Sequence, residues 1–405
     1  KRQALIPLLP ALLVAFGAFT LAAQTVLFRE YLVACNGTEI GVGLFYASWF
    51  AWIAVGALAH RRWPPGRQGP LRRLLWLLAL YLPAAVLQAV LLRSLRGMAG
   101  VPAADLFPLG ALLWTTALAN APVGLITGAA FPAACAAVAA RVRDPAKAAT
   151  RTYVLESAGS FAGGIGATLL SVLGGSPLTI LAAVALGVAG LGAALAWREQ
   201  GRRLAGVMAG LALVAAALVS PLGDAAVEAA EDRRVERMLP GFERVTSLDT
   251  PHRHLVLAEG EHQLVILSDS TVLGTVPDPA GDLLTSELVK AQRPGAERVL
   301  LVGHTTEGAA GWLMWGGLEQ LVMVQPDQRA AEVVDPHLDH LWRVHLAHLA
   351  VERLYGDPRL RLAELADRGE RFDAVVLALP DPASAAANRT ATVEFHELCR
   401  AVLAE

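Results

Sequence analysis

The first 222 residues are dominated by apolar stretches about 20 residues long, the length a helix needs to cross the ~30 Å core of a bilayer. A chain that opens this way has more apolar surface than one globular core can hide, so much of it must face lipid. The stretches fall at residues 4–28, 40–59, 74–92, 106–129, 153–173, 178–197 and 204–222, which predicts a polytopic bundle of about seven spans. The fourth stays apolar to Ala140 and holds Pro122 and Pro132, so it reads as one kinked helix or two short ones. Lys1 and Arg2 precede a run that outlasts a signal peptide without a clear cleavage site, and it reads as the first span.

Loop charges orient the bundle. Lys1 and Arg2 precede span one, and Arg61, Arg62, Arg67, Arg72 and Arg73 follow span two. Arg141, Arg143, Lys147 and Arg151 follow span four, and Arg198, Arg202 and Arg203 follow span six. The loop 174–177 carries no charge, and only Arg93 and Arg96 break the pattern. Seven spans put the basic loops on one side, which the positive-inside rule makes cytoplasmic. The expectation is an inner-membrane protein with a cytoplasmic N-terminus and a periplasmic C-terminal domain. An eighth span would put the last two basic loops outside.

From Gly223 onward charges and histidines return at globular density, although the chain as a whole is 55% hydrophobic and 17% charged. The expected organisation is a bundle over 1–222, a linker with a small β-region over 223–290, and an α/β Rossmann-like methyltransferase-type domain over 291–405. A net charge of −2 gives no reason to expect nucleic acid. Cys35, Cys135 and Cys399 match no metal spacing, and the first two read as packing residues. Trp49, Trp52, Trp63, Trp76 and Trp114 suit a belt or the bundle interior.

The stretch "RVLLVGHTTEGAAGWLMWGGLEQLVMVQPDQ", Arg298 to Gln328, has the outline of a nucleotide-binding βαβ unit. Strands are expected at 299–302, 321–324 and 374–377, and residues 249–275 alternate like a hairpin about Gly260. A working fold of this kind needs a glycine-rich first turn and an acid ending the second strand. Here Gly303 is followed by His304, Thr305, Thr306, Glu307 and Gly308, and the second strand ends on Gln325, with Asp327 displaced by two. β-branched residues resist positive φ and fill the space that a cofactor's backbone contacts require.

The chain resembles the membrane-embedded spermidine synthase-like proteins, in which a polytopic bundle precedes an aminopropyltransferase-type domain. The resemblance rests on Ala22 to Leu58, "APVGLITGAAFPAA", "YVLESAGSFAGG", "GDPRLRL", "RFDAVVLALPDP" and "NRTATVEF". It implies an acid after the third strand, for which Glu364 and Asp367 are the nearest candidates, and a catalytic aspartate just after the fourth. Ala378 occupies that last neighbourhood and leaves Asp381 as the nearby carboxylate. It also implies further strands beyond Glu405.

Lost together, these positions point to a fold kept without its chemistry, with no cofactor expected. The leading reading is a non-catalytic membrane subunit or scaffold that docks partner proteins in a larger membrane complex. The alternative is an aminopropyltransferase using decarboxylated S-adenosylmethionine, with Asp327 on the ribose and Asp381 as base. A third is a polyamine or cation transporter working through Glu39 and Glu156. Arg29, Glu30, Glu39 and Glu156 are the ionisable residues expected at membrane depth or its interface, and Glu156 has Arg151 or Arg29 as its expected ion-pair partner. Trp312 and Trp315 could fill a vacated cofactor pocket or simply pack on the sheet. On a helix, His337, His340 and His348 share a face with His345 at its edge, offering metal ligands or a partner contact.

Overall fold

A computed structural model describes residues 8–35, 38–62, 69–101, 107–142, 144–250, 253–268, 271–303, 317–337, 350–379, 382 and 385–404. The chain divides into two compact units, Lys1–Arg233 and Arg234–Glu405.

The first unit is helical: α1 (Leu8–Cys35), α2 (Glu39–Arg62), α3 (Pro70–Ala79), α4 (Tyr81–Arg93), α5 (Leu95–Ala99), α6 (Leu109–Ala119), α7 (Ala121–Ala139), α8 (Pro145–Val172), α9 (Pro177–Glu199), α10 (Arg202–Leu218) and α11 (Pro221–Met238). Prolines open α3, α8, α9 and α11, where their missing N–H costs nothing. Asp144 and Ser176 cap α8 and α9 by accepting from Ala146 N and Thr179 N. Among the described residues, five helical segments are long and apolar enough to cross a membrane: α1, α2, α3 with α4, α7 and α9; α8, over the expected fifth span, is long but not apolar enough to be one of them. The count becomes six if α10 and α11, bent by 71°, form one span. The segment expected as the fourth span is two helices, α6 and α7, with Asn120 between them.

Two glycine seams set the helix pairs. A Cβ on Gly159 would stand 1.9 Å from Val14 O, and one on Gly163 2.2 Å from Ala18 O. Gly17 faces Glu156 O in the same way, so α1 and α8 run parallel with their backbones touching. The pair α2 and α7 repeats the device through Gly56 against Leu125 O and Gly128 against Ile53 O. Where α8 leaves the seam it exposes Tyr153, Val154, Phe161, Ile165 and Leu169.

Polar rungs cross the apolar interior. Tyr81 donates to Thr127 Oγ1 (2.9 Å), and Thr116 donates to the Tyr31 hydroxyl (3.1 Å). At the break before α7, Gln88 does two things: its Nε2 donates to Asn120 Oδ1 (3.0 Å) and its Oε1 accepts Val123 N–H (3.0 Å). Asn120 in turn donates to Ser48 Oγ and Phe45 O. Gln88 and Asn120 are fully buried, so every lost bond leaves an orphan. Gln88→Leu is expected to cost about 1–3 kcal/mol, read as earlier thermal unfolding in detergent.

Arg93, one of the two residues that broke the loop-charge pattern, ends α4 and binds Glu30 of α1 and Glu231 of α11 (2.6 Å to the latter). Both carboxylates are buried. Arg96 is buried as well, donating to Ala34 O and lying over Phe107. At the other end of the helices, Arg141, just beyond α7, pairs with Glu199 of α9 (2.5 Å).

In the second unit, β1 (Glu243–Asp249), β2 (His254–Gly260), β3 (Gln263–Ser268) and β4 (Thr271–Val276) form an antiparallel meander. The hairpin expected about Gly260 turns on Glu261 and His262, both at positive φ. After α12 (Pro279–Gln292) come β5 (Arg298–Gly303), β6 (Gln320–Gln325), β7 (Ala350–Tyr355) and β8 (Ala374–Ala378), all parallel in the order β7-β6-β5-β8. Leu300, Val302, Val322 and Val324 bury one face against helices 358–367 and 393–401. Val299, Leu301, Leu321 and Met323 bury the other, with Val289 of α12 packed on them. Cover on both faces is why these strands read as unbroken apolar runs.

Candidate functional site

The chain steps from β5 through β6 to β7 on one side, then returns to β8 on the other. Such a switch point opens a crevice at the carboxyl ends of β5 and β8, where ligands of this architecture bind. The sequence-derived residues that are described gather at this edge. Gly303 ends β5 at φ +122°, opposite Ala378 in register. A Cβ there would stand 2.0 Å from Ala378 O, so the glycine serves a strand contact, whatever else passes above it. Gly308, Trp312, Trp315 and Asp381 lie outside the described residues.

Gln325 ends β6 and is buried, and among the described residues none bonds to its Oε1. Asp327, 4% exposed, is the carboxylate that could replace an acid at 325, and its oxygens are already engaged. Oδ1 accepts from Ala330 N (3.2 Å), capping helix Gln328–Val334. Oδ2 accepts from Thr250 Oγ1 (2.6 Å), just beyond β1. The reason is local: a helix start needs a short acceptor at the N-cap, and Asp327 is placed there by the strand it follows.

The acid after the third strand corrects the sequence reading. That strand is β7, and the acid that follows it is Asp357, not Glu364 or Asp367. Asp357 caps its helix by accepting from Arg359 N (2.9 Å) and pairs with Arg389 (2.7 Å). Glu364 pairs with Arg361 (2.6 Å), and Asp367 ends the helix. The missed signal was Asp357-Pro358, an N-cap followed by proline at the first helical position. A cavity of about 180 Å³ lies at the other end of the strands, by the amino ends of β5 and β6, lined by Val289, Lys290, Ala296, Glu297, Val299 and Leu318. There Asp373 accepts from the N–H groups of Arg298 and Glu297, which hold its carboxyl below the usual aspartate value.

His337 ends a short 3₁₀ turn and is exposed; His340, His345 and His348 lie outside the described residues. Among the described residues no group of three His, Cys, Asp or Glu could hold a metal. Burial pushes the Cys399 thiol up to about 11, which leaves it unreactive at neutral pH.

In the helical unit the ionisable residues separate. Glu30 is buried in the Arg93 cluster, Arg29 is half-buried, and Glu39 opens α2 exposed. Glu156 pairs with neither Arg151 nor Arg29: its carboxyl is bonded to Ser160 Oγ (3.0 Å) of its own helix.

No protein-family model matches this sequence, and no match was found among curated proteins. Among solved structures, the chain is similar to spermidine synthase in complex with the transition-state analogue AdoDATO, with 15% identity and a TM-score of 0.35 over 40% of this chain and 54% of that one. It is also similar to spermidine synthase from Thermotoga maritima, with 14% identity and a TM-score of 0.33 over 40% and 53% of the two chains. The chain thus spans about half the length of the proteins it matches, and likenesses this distant assign no residue and no activity.

Proposed function

We propose that the chain is a non-catalytic integral-membrane subunit, a seven-span bundle whose degenerate aminopropyltransferase-like unit docks partner proteins in a larger complex. The observation that carries this reading is the state of the second-strand acid. Gln325 stands in its place, and the displaced Asp327 spends both carboxylate oxygens on a helix cap and on Thr250. Each oxygen keeps acceptor capacity, but a ribose hydroxyl would have to reach a carboxylate that is 4% exposed and already held by a helix cap and by Thr250. Asp357 is present where an acid is expected, yet its oxygens too are engaged, by Arg359 N and Arg389.

The test is calorimetry on the full chain with decarboxylated S-adenosylmethionine, followed by assay with putrescine. Neither binding tighter than ~1 mM nor turnover is expected. Turnover would restore the enzyme reading, with Asp381 as base, and end this one.

Seven spans are supported by helix direction. Parallel α1 and α8, parallel α2 and α7, and the Arg141–Glu199 pair put the described arginines that end α2, open α3, follow α7, end α9 and open α10 (Arg61, Arg62, Arg72, Arg73, Arg141, Arg198, Arg202 and Arg203) at one end. Arg93, Glu30 and Glu231 meet at the end where α1 and α4 finish. By the positive-inside rule the basic end is cytoplasmic, so the chain leaves α10 on the periplasmic side. Reporter fusions after Gly223 are expected to be active only with a periplasmic reporter. Activity of a cytoplasmic reporter there would break the count and return the domain to the cofactor's compartment.

A further inference from the structure

Helices α3, α9 and α10 meet at the basic end of the bundle. A Cβ on Gly192 of α9 would stand 2.2 Å from Met208 of α10 and 3.5 Å from Leu75 of α3. Each of these three residues lies within about two turns of its helix end there, so the three ends are level. Arg72 and Arg73 fall in the first turn of α3, Arg198 in the last turn of α9, and Arg202 and Arg203 open α10. The acids described at this end are Glu199, held by Arg141, and Asp144, which caps α8 and lies 3.7 Å from Lys147. Among the described residues, no carboxylate pairs with Arg72, Arg198, Arg202 or Arg203. The Arg72 Nε is shut off from solvent, and none of the described residues bonds to it. A buried guanidinium N–H without an acceptor is costly, and a phosphate oxygen is an acceptor that suits its geometry.

The surface beyond these cations narrows the kind of anion. On α3, Arg73, Trp76 and Leu80 share a face at i, i+3 and i+7, and Trp76 and Leu80 are exposed. On α10, Arg203, Val207, Gly210 and Val214 do the same at i, i+4, i+7 and i+11. Both valines are exposed, and a Cβ on Gly210 would meet nothing within 4 Å. Trp197 of α9, 64% exposed, has Arg202 over its ring at 5.7 Å, a cation and an aromatic together as a headgroup layer favours. Charge at the end, with apolar surface running away from it along two helices, matches a molecule with an anionic head and hydrocarbon tails. A soluble phosphate or an acidic peptide would use the first feature and leave the second bare.

We propose that this end of α3, α9 and α10 binds an acidic phospholipid. Its phosphate sits on Arg72 and the arginines that open α10, and its acyl chains run along Trp76, Leu80, Val207 and Val214. The site rests on α3 with α4 and α9 as spans, and on no other part of the functional reading.

The experiment offers the full chain, in detergent, phosphatidylglycerol and phosphatidylcholine with identical acyl chains, and reads retained lipid by native mass spectrometry. Phosphatidylglycerol is expected to be retained at least ~10-fold better. Arg72→Gln with Arg203→Gln is expected to remove most of that preference. Arg61→Gln with Arg62→Gln, which takes the same charge from the end of α2, is expected to keep it. Equal retention of both lipids overturns the proposal. Equal loss in the two double variants overturns it too, because diffuse charge rather than a site would then be at work. Displacement of the lipid by inorganic phosphate or by an oligoglutamate peptide overturns the lipid as occupant. If the Arg72 and Arg203 variant fails to fold, melting of the unaltered chain still decides: phosphatidylglycerol is expected to raise its melting temperature and phosphatidylcholine is not. A chain that stays dispersed without detergent overturns the span reading together with this proposal, whereas equal retention leaves the span reading standing.

Discussion

Gly159→Leu is expected to prevent the helical unit from assembling, leaving protein that aggregates on extraction and shows no cooperative melt. A Cβ at Gly159 would lie 1.9 Å from Val14 O, whereas a carbon–oxygen contact needs about 3.3 Å, so α1 and α8 would have to part by more than ~1 Å. Neighbouring Gly163 meets Ala18 O in the same way, and the shift would open the seam along its length. Between helices in lipid there is no hydrophobic effect to recover what is lost; close packing is itself the adhesive. Gly166, on the same helix with open space around it, is the control, and Gly166→Ala is expected to fold normally. If Gly159→Leu extracts and melts like the parent, the backbone contact is not what holds the pair.

Arg93→Met is expected to destabilise the helical unit by about 3–5 kcal/mol, because the buried Glu30 and Glu231 lose the guanidinium they share. The loss arises mainly from weaker compensation of buried charge rather than from the missing attraction. Adding Glu30→Gln and Glu231→Gln to Arg93→Met should therefore recover most of it. Thermal unfolding of the single and triple variants in one detergent reads the difference. A triple variant no more stable than the single would mean that packing by the arginine stem, not charge, is what counts.

The same cluster bears on Arg93, one of the two exceptions to the loop-charge pattern. Counted as a loop arginine it opposes the pattern; held by Glu30 and Glu231, it belongs to an ion cluster at the helix ends and carries little weight in that count. Sequence could not pair residues 63 and 138 positions apart. The helices themselves were legible, since a run of apolar residues near span length has few other fates. Strands β5 and β6 were legible for a similar reason, being buried on both faces, and β8, though an edge strand and only partly buried, is still a run of apolar residues. β7 was not: at the edge of the sheet it alternates through Glu352 and Arg353 and follows the histidine-rich stretch, so nothing marks it as part of a parallel core. With β7 missed, Asp357 was missed too. Gln325 and Gly303 were readable at their positions, while the fate of Asp327 depended on Thr250, 77 residues earlier.

That bond also bears on what position 325 can hold. A glutamate there would bring a second carboxylate, buried, to within two residues of Asp327, itself 4% exposed and bonded to Thr250 and Ala330 N, and like charges so close disfavour one another. Release of Asp327 to relieve them would loosen both the helix it caps and the segment that holds Thr250. A single exchange at the end of β6 is therefore coupled to a helix start and to the end of β1, and an uncharged amide is the side chain that leaves both in place.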